Sequence, residues 1–189
     1  ATGVIATLTN VGVGDVYNFA EEDGRGGFAR LNAVARAERA ANPNTLYLFD
    51  GDMLSPSLMS GFDQGQNTID FTNLVPFDLA VPGNHEFYGA SHAQVIAELR
   101  RLSQGTQVRL LDNASVTLAG VRFVGSTLWS DFRIFASEEQ RQQAMAEAQR
   151  FMRDFSRIRM GPEPGDPLFT PQDAADLYNA NLPWLRQAL

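Results

Sequence analysis

The segment that most restricts the fold is Thr45-Leu46-Tyr47-Leu48-Phe49, an almost unbroken apolar run that ends abruptly in Asp50-Gly51-Asp52. A strand of this kind is covered on both faces, which is the habit of parallel sheets. A second run, Leu79-Ala80-Val81, ends in the same way at Pro82-Gly83-Asn84-His85-Glu86. Between the two a helix is expected near Thr68 to Leu74. Before the first run another is expected from Gly26 to Ala41, where Phe28, Leu31, Val34 and Ala35 recur at helical spacing beside Arg30, Arg36 and Arg39. Strand and helix alternating in this order imply a largely parallel sheet.

The rest of the chain extends that plan. Val4 to Thr9 reads as an opening strand, followed by the glycine-punctuated loop Val11-Gly12-Val13-Gly14-Asp15. Ala93 to Leu102 reads as a helix. Val108 to Asp112, Ser115 to Leu118 and Val121 to Leu128 read as strands, the last two joined by a tight hairpin at Ala119-Gly120, where the sheet turns antiparallel. Ser137 to Ile158, with Met145, Phe151, Met152 and Phe155 on one face, is expected to be the longest helix and to cover the sheet. Gly161 to Pro167 is a loop, and Thr170-Pro171 starts a last helix with a capping residue and proline at its first position. The expected fold is one α/β domain over residues 1–189, with a mixed, mainly parallel β-sheet flanked by helices.

In open α/β sheets ligands gather at the carboxyl ends of strands. Three such ends carry Asp15, Asp52 and Asn84-His85. The chain has no cysteine, so any metal here is held by oxygen and imidazole. Hard divalent cations favour oxygen donors, and Gly14-Asp15 and Gly51-Asp52 have the tight-turn form that lets a carboxylate point inward. A net charge of -7, with arginine as the only strongly basic residue type, opposes binding to a nucleic acid duplex or an anionic membrane. No apolar run approaches the ~20 residues that span a bilayer, and no charged-then-apolar secretory pattern is present. The compartment is left open between cytoplasm and, after removal of a signal, periplasm or exterior.

Asp15-Val16-Tyr17-Asn18, Gly26-Gly27-Phe28-Ala29-Arg30, Gly51-Asp52-Met53-Leu54-Ser55-Pro56-Ser57 and Gly83-Asn84-His85-Glu86-Phe87 together resemble the motifs of the calcineurin-like metallophosphoesterase superfamily, in its 5'-nucleotidase branch. Val81 to Gly89 and Gly120 to Phe132 are more similar to a second branch, small single-domain predicted phosphohydrolases. The resemblance implies hydrolysis of a phosphomonoester or phosphodiester by a metal-bound hydroxide on one or two divalent ions such as Mn, Zn or Fe. It implies Asp15 as ligand to one metal, Asp52 as the bridge, and Asn84 as ligand to the second through its amide oxygen. His85 would assist at the phosphate, with Glu86 orienting it. The implied partner is a small phosphorylated substrate.

The chain departs from the family pattern in its later part, where relatives carry further histidines, including a Gly-His-X-His word. Only His85 and His92 are present. The chain therefore resembles a truncated version of the fold, and three forms fit: a natural short form, a form in which two chains share a site, or a fragment. An active short form, with assembly as a homo-oligomer open to it, is the expectation; the alternative is an inactive fragment or interaction module that lost the full dinuclear site. Among neighbouring residues, Asp50 is expected to be a structural acceptor turned away from the site, and His92 a capping or surface residue. Trp129 and Phe132 are expected in the core, and Gly26 and Gly27 in helix packing.

Overall fold

The computed structural model describes residues 7–54, 62 and 66–189. Val4 to Ala6 of the expected first strand, and Ser55-Pro56-Ser57 of the Gly51 motif, lie outside the described residues. Four strands, β1 (Thr9–Val13), β2 (Thr45–Phe49), β3 (Leu79–Ala80) and β4 (Arg109–Leu110), stand side by side in chain order and are all parallel. Among the described residues the connections run through helices α1 (Phe28–Ala41), α2 (Gln66–Asn73) and α3 (His92–Ser103). This is the α/β arrangement that the apolar runs demand.

β1 lies further along the chain than the opening β-prone segment suggested. It passes through Gly12 and pairs Thr9 with Thr45 through to Val13 with Phe49. The approach is close: a Cβ at Gly12 would stand 3.1 Å from Asp50 Oδ2, so the glycine gives the Asp50 side chain room at the end of β2. The residues read as a loop are thus mostly strand. Asp78 then sets the start of β3, because its carboxylate accepts from the backbone N–H of buried Tyr47 at 2.8 Å and from Arg39 of α1, also at 2.8 Å.

The hairpin forms as expected, β5 (Ala114–Leu118) against β6 (Val121–Gly125), with Ala119 and Gly120 both at positive φ, as a two-residue hairpin turn requires. Among the described residues it makes its own two-stranded ladder beside the parallel four. Gly125 sets its place: a Cβ there would lie 2.8 Å from Val81 Cγ2 and 2.9 Å from the Leu111 carbonyl oxygen.

The long helix expected over Ser137 to Ile158 is two pieces, α4 (Glu138–Phe151) and α5 (Asp154–Arg157), separated at Met152, whose backbone is extended. The break leaves Phe151 and Met152 exposed and turns Asp154, Phe155 and Ile158 inward. Phe155 and Ile158 bury against Phe87 and Phe169, a gain that a straight helix would forfeit. α6 (Pro171–Ala188), at 18 residues, is therefore the longer helix. It starts as the sequence indicates: the Thr170 hydroxyl accepts from the Asp173 N–H, the Asp173 carboxylate accepts from the Thr170 N–H, and Pro171 takes the first helical position.

Two apolar clusters flank the strand ends. Phe28, Tyr47, Met53, Val75 and Phe77 join α1 and α2 to the sheet. Phe87, Ile96, Phe155, Ile158 and Phe169 join α3 and α5 to the loops that follow β3. No helix among the described residues is long and apolar enough to cross a membrane.

Candidate active site

The carboxyl ends of β1, β2 and β3 bring three loops together through backbone geometry that few residues tolerate. Asp15 (φ 54) and Asp52 (φ 63) are both in the left-handed region, which costs a non-glycine residue of order 1 kcal/mol or more and is kept where the surroundings enforce it. The Asp15 N–H donates to the Gly51 carbonyl oxygen at 3.1 Å, so the first two loops touch directly. At Gly83 a Cβ would collide with the Asp52 carboxylate, at 2.7 Å from its Cγ, and at Gly51 a Cβ would lie 2.6 Å from Gly83 Cα. The glycine of each motif is what permits the approach.

Glu86 ties these loops together. Its carboxylate accepts from the N–H groups of Asp52 (2.8 Å), Met53 (2.9 Å) and Gly83 (2.8 Å). Its grip is on backbone, so it fixes His85 through the loop that carries it. His85 stacks with two tyrosines, its ring centroid 5.5 Å from Tyr17 and 4.6 Å from Tyr88, each plane tilted by 29°. The backbone N–H of His85 donates to Asp52 Oδ1 at 2.9 Å.

The electrostatics are those of a crowded anionic site. Burial is the largest cause that pushes the Asp52 carboxyl above its usual range; the charges of Glu86 and Asp15 add to it, while the His85 N–H works against it. Tyr17, which donates to Asp15 Oδ1 at 2.6 Å, is pushed well above its ordinary value by burial first and by that bond and the nearby carboxylates next. Tyr88 is pushed up to about 12, again by burial first and then by the charges of Asp154 and Asp52.

Asp15 and Tyr17 line a cleft of about 800 Å³ together with Arg25, Gly26 and Gly27. Asp52 and Asn84 line a second, of about 490 Å³, together with Asp50, Asp154 and Trp129. His85 and Glu86 line neither wall. Asp50 corrects an expectation: it faces the second cleft, and burial raises its carboxyl. Trp129 and Phe132 both pack on the second apolar cluster and form part of that cleft, so they belong to core and site at once. Gly26 (φ 69) and Gly27 (φ 85) serve positive-φ backbone at the entry to α1 in place of helix packing, since a Cβ at Gly27 would meet Glu21 N at 2.9 Å. His92 is the first residue of α3, stacked 4.6 Å from Phe87 and partly buried, away from both clefts.

Asp154 was missed by the reading of the sequence. It is 4% exposed, and the Asn84 amide nitrogen donates to its Oδ1 from 70 residues away. Its one sequence signal is an acid on the helical face that also carries Phe155 and Ile158, a core position where carboxylates are rare unless paired. With the Asn84 nitrogen committed to Asp154, the oxygen of that amide is the donor left for a cation. Asp15, Asp52 and the Asn84 amide oxygen fit a hard or borderline divalent ion in chemistry and in charge. Among the described residues no three His, Asp or Glu side chains gather as a metal-holding group, so the set depends on that amide.

Solved structures similar to the chain include an NAD nucleotidase from Haemophilus influenzae (20% identity, TM-score 0.49, covering 76% of this chain and 35% of that one). A putative 5'-nucleotidase from Staphylococcus aureus has 19% identity and a TM-score of 0.46 over the same shares of the two chains, 76% and 35%. A 5'-nucleotidase precursor from Thermus thermophilus has 18% identity and a TM-score of 0.48, covering 96% of this chain and 35% of that one. The chain thus spans about a third of the length of each of these three. No curated protein matches it. The family model for calcineurin-like phosphoesterases matches residues 11–171, which includes all three strand-end motifs, and the chain accordingly belongs to the calcineurin-like phosphoesterase family, a family of hydrolases.

Proposed function

We propose that this chain hydrolyses a small phosphomonoester or phosphodiester with the help of a divalent cation held by Asp15, Asp52 and Asn84. The observation that carries the reading is Asp52: a half-buried carboxylate that burial and the charges of Glu86 and Asp15 push up, with the His85 backbone N–H on one oxygen. Anionic crowding of this kind is costly in a metal-free fold and is relieved by a cation. A bound divalent ion would supply Lewis acidity toward a phosphoryl oxygen and offset its charge. His85, stacked with Tyr17 and Tyr88, offers its imidazole as hydrogen-bond donor to a phosphate or leaving oxygen. Glu86 holds the loops of Asp52 and Gly83 in one geometry, which preorganises the site.

The test is elemental analysis of the purified protein, with hydrolysis of a chromogenic phosphomonoester and phosphodiester before chelation, after it, and after add-back of Mn, Zn, Fe, Co or Ni. Bound metal with chelator-sensitive turnover is the expected outcome. A second reading, an interaction module without turnover, draws support from the lack of a three-residue His, Asp or Glu group among the described residues. Protein that neither binds metal nor turns over under any of these ions would overturn the hydrolase reading and leave an inactive fragment or interaction module. Exposed Ile134 and Phe151 support self-association in either case, and light scattering that shows only monomer at working concentration would overturn that part.

A further inference from the structure

Asp154 is a buried carboxylate that accepts from the Asn84 amide in the loop that follows β3, and its charge also reaches Tyr88 of the same loop. A structural clip would explain the burial alone. The choice of partner atom says more. A carboxamide presents oxygen and nitrogen on opposite branches, and it can rotate to exchange them at little cost. A carboxylate accepts and does not donate, so Asp154 selects the nitrogen and leaves the oxygen of Asn84 for the cleft that Asn84, Asp52 and Asp154 line together.

We propose that Asp154 is a positioning residue of the cation site, setting the orientation of the Asn84 amide so that its oxygen serves as ligand; this rests on the cation reading above. Partners that orient a ligand from outside the coordination sphere typically change metal affinity about 10- to 100-fold when removed. Asp154 is the first residue of α5, just after the break that follows α4, and a continuous helix would carry residue 154 elsewhere.

The experiment is Mn²⁺ titration calorimetry on the full chain, as wild type, Asp154→Leu, Asn84→Asp and the exchanged pair Asn84→Asp with Asp154→Asn, with Tm measured in parallel. Asp154→Leu keeps the approximate volume and removes the acceptor, and its Kd for Mn²⁺ is expected to rise about 10- to 100-fold. Asn84→Asp sets two carboxylates face to face and weakens binding. The exchanged pair restores one amide donating to one carboxylate, and its Kd is expected to return toward the wild-type value. An unchanged Kd in Asp154→Leu together with a lower Tm would make Asp154 a structural clip and overturn the proposal. Should Asp154→Leu not fold, an exchanged pair no tighter than Asn84→Asp overturns it equally. A wild-type chain that takes up no Mn²⁺ while folded would sink the cation reading first, and the role of Asp154 with it.

Discussion

Asp52 and His85 share one hydrogen bond and differ in what they contribute, and substitution separates them. On the proposed reading Asp52→Asn removes a ligand carboxylate, so bound metal and turnover are expected to fall together. His85→Asn leaves the ligands in place and is expected to keep the metal while kcat drops about 10²- to 10⁴-fold, the usual worth of a positioned acid or base. Elemental analysis and kinetics on both variants check this, and unchanged turnover in His85→Asn would remove His85 from the chemistry. His92 supplies a pH test away from the site. Burial holds its pKa below the ordinary 6.5, and Arg100 adds to that while Asp112 opposes it. The unfolded chain therefore binds a proton more readily than the folded one, so stability falls as pH drops through 6.5 toward the lowered value. His92→Gln should flatten the decline of Tm over that window, and an identical slope in the variant would rule His92 out as its source.

At the scale of elements, backbone spacing matters more than side-chain chemistry. Gly83→Ala places a Cβ against the Asp52 carboxylate, so the loops after β2 and β3 must part. The expected result is a folded protein, by circular dichroism, that has lost most of its metal affinity; wild-type affinity in that variant would show that the close approach is dispensable. α6 reaches the same loops through a buried polar chain. Asn181 of α6 donates to the Thr127 carbonyl oxygen at 3.3 Å and accepts from the Asn113 amide at 2.7 Å, and the Thr127 hydroxyl donates to the Pro82 carbonyl oxygen at 2.6 Å. Asn181→Ala strands two of these groups and should cost about 1–3 kcal/mol. Urea unfolding measures it, and a loss below ~0.5 kcal/mol would show that water replaces the bonds.

For the whole molecule, the cation is expected to act as a stabiliser. Because the Asp52 carboxyl titrates above its ordinary 3.8 in the metal-free fold, the folded chain holds that proton more tightly than the unfolded chain. Its contribution to stability is therefore lost as pH rises through the raised value, and at neutral pH the ionised carboxylate weighs against folding. Mn²⁺ at about 100 times its Kd should stabilise the fold by roughly 2.7 kcal/mol. Thermal melts at pH 7 with and without Mn²⁺ test this, and equal Tm values at that concentration would count against the site.

What the sequence determined by itself was whatever depends on local pattern. The apolar runs at Thr45 to Phe49 and Leu79 to Val81 required parallel strands, and the structure has them, with one face of β2 buried and the other half-buried. Thr170-Pro171 placed the start of α6, and the motif residues placed Asp15, Asp52 and Asn84 at strand ends. Tertiary structure decided the rest, because each remaining feature depends on groups far apart in the chain. β1 runs through Gly12 because it pairs with β2, residue by residue, from Thr9 with Thr45 to Val13 with Phe49. α4 ends at Phe151 because Phe155 and Ile158 bury against Phe87 and Phe169, and because the Asn84 amide holds Asp154. Glu86 binds three backbone N–H groups that no spacing rule brings together. An acid on an apolar helix face was visible in the sequence; the amide that it orients came into view only when residues 84 and 154 met.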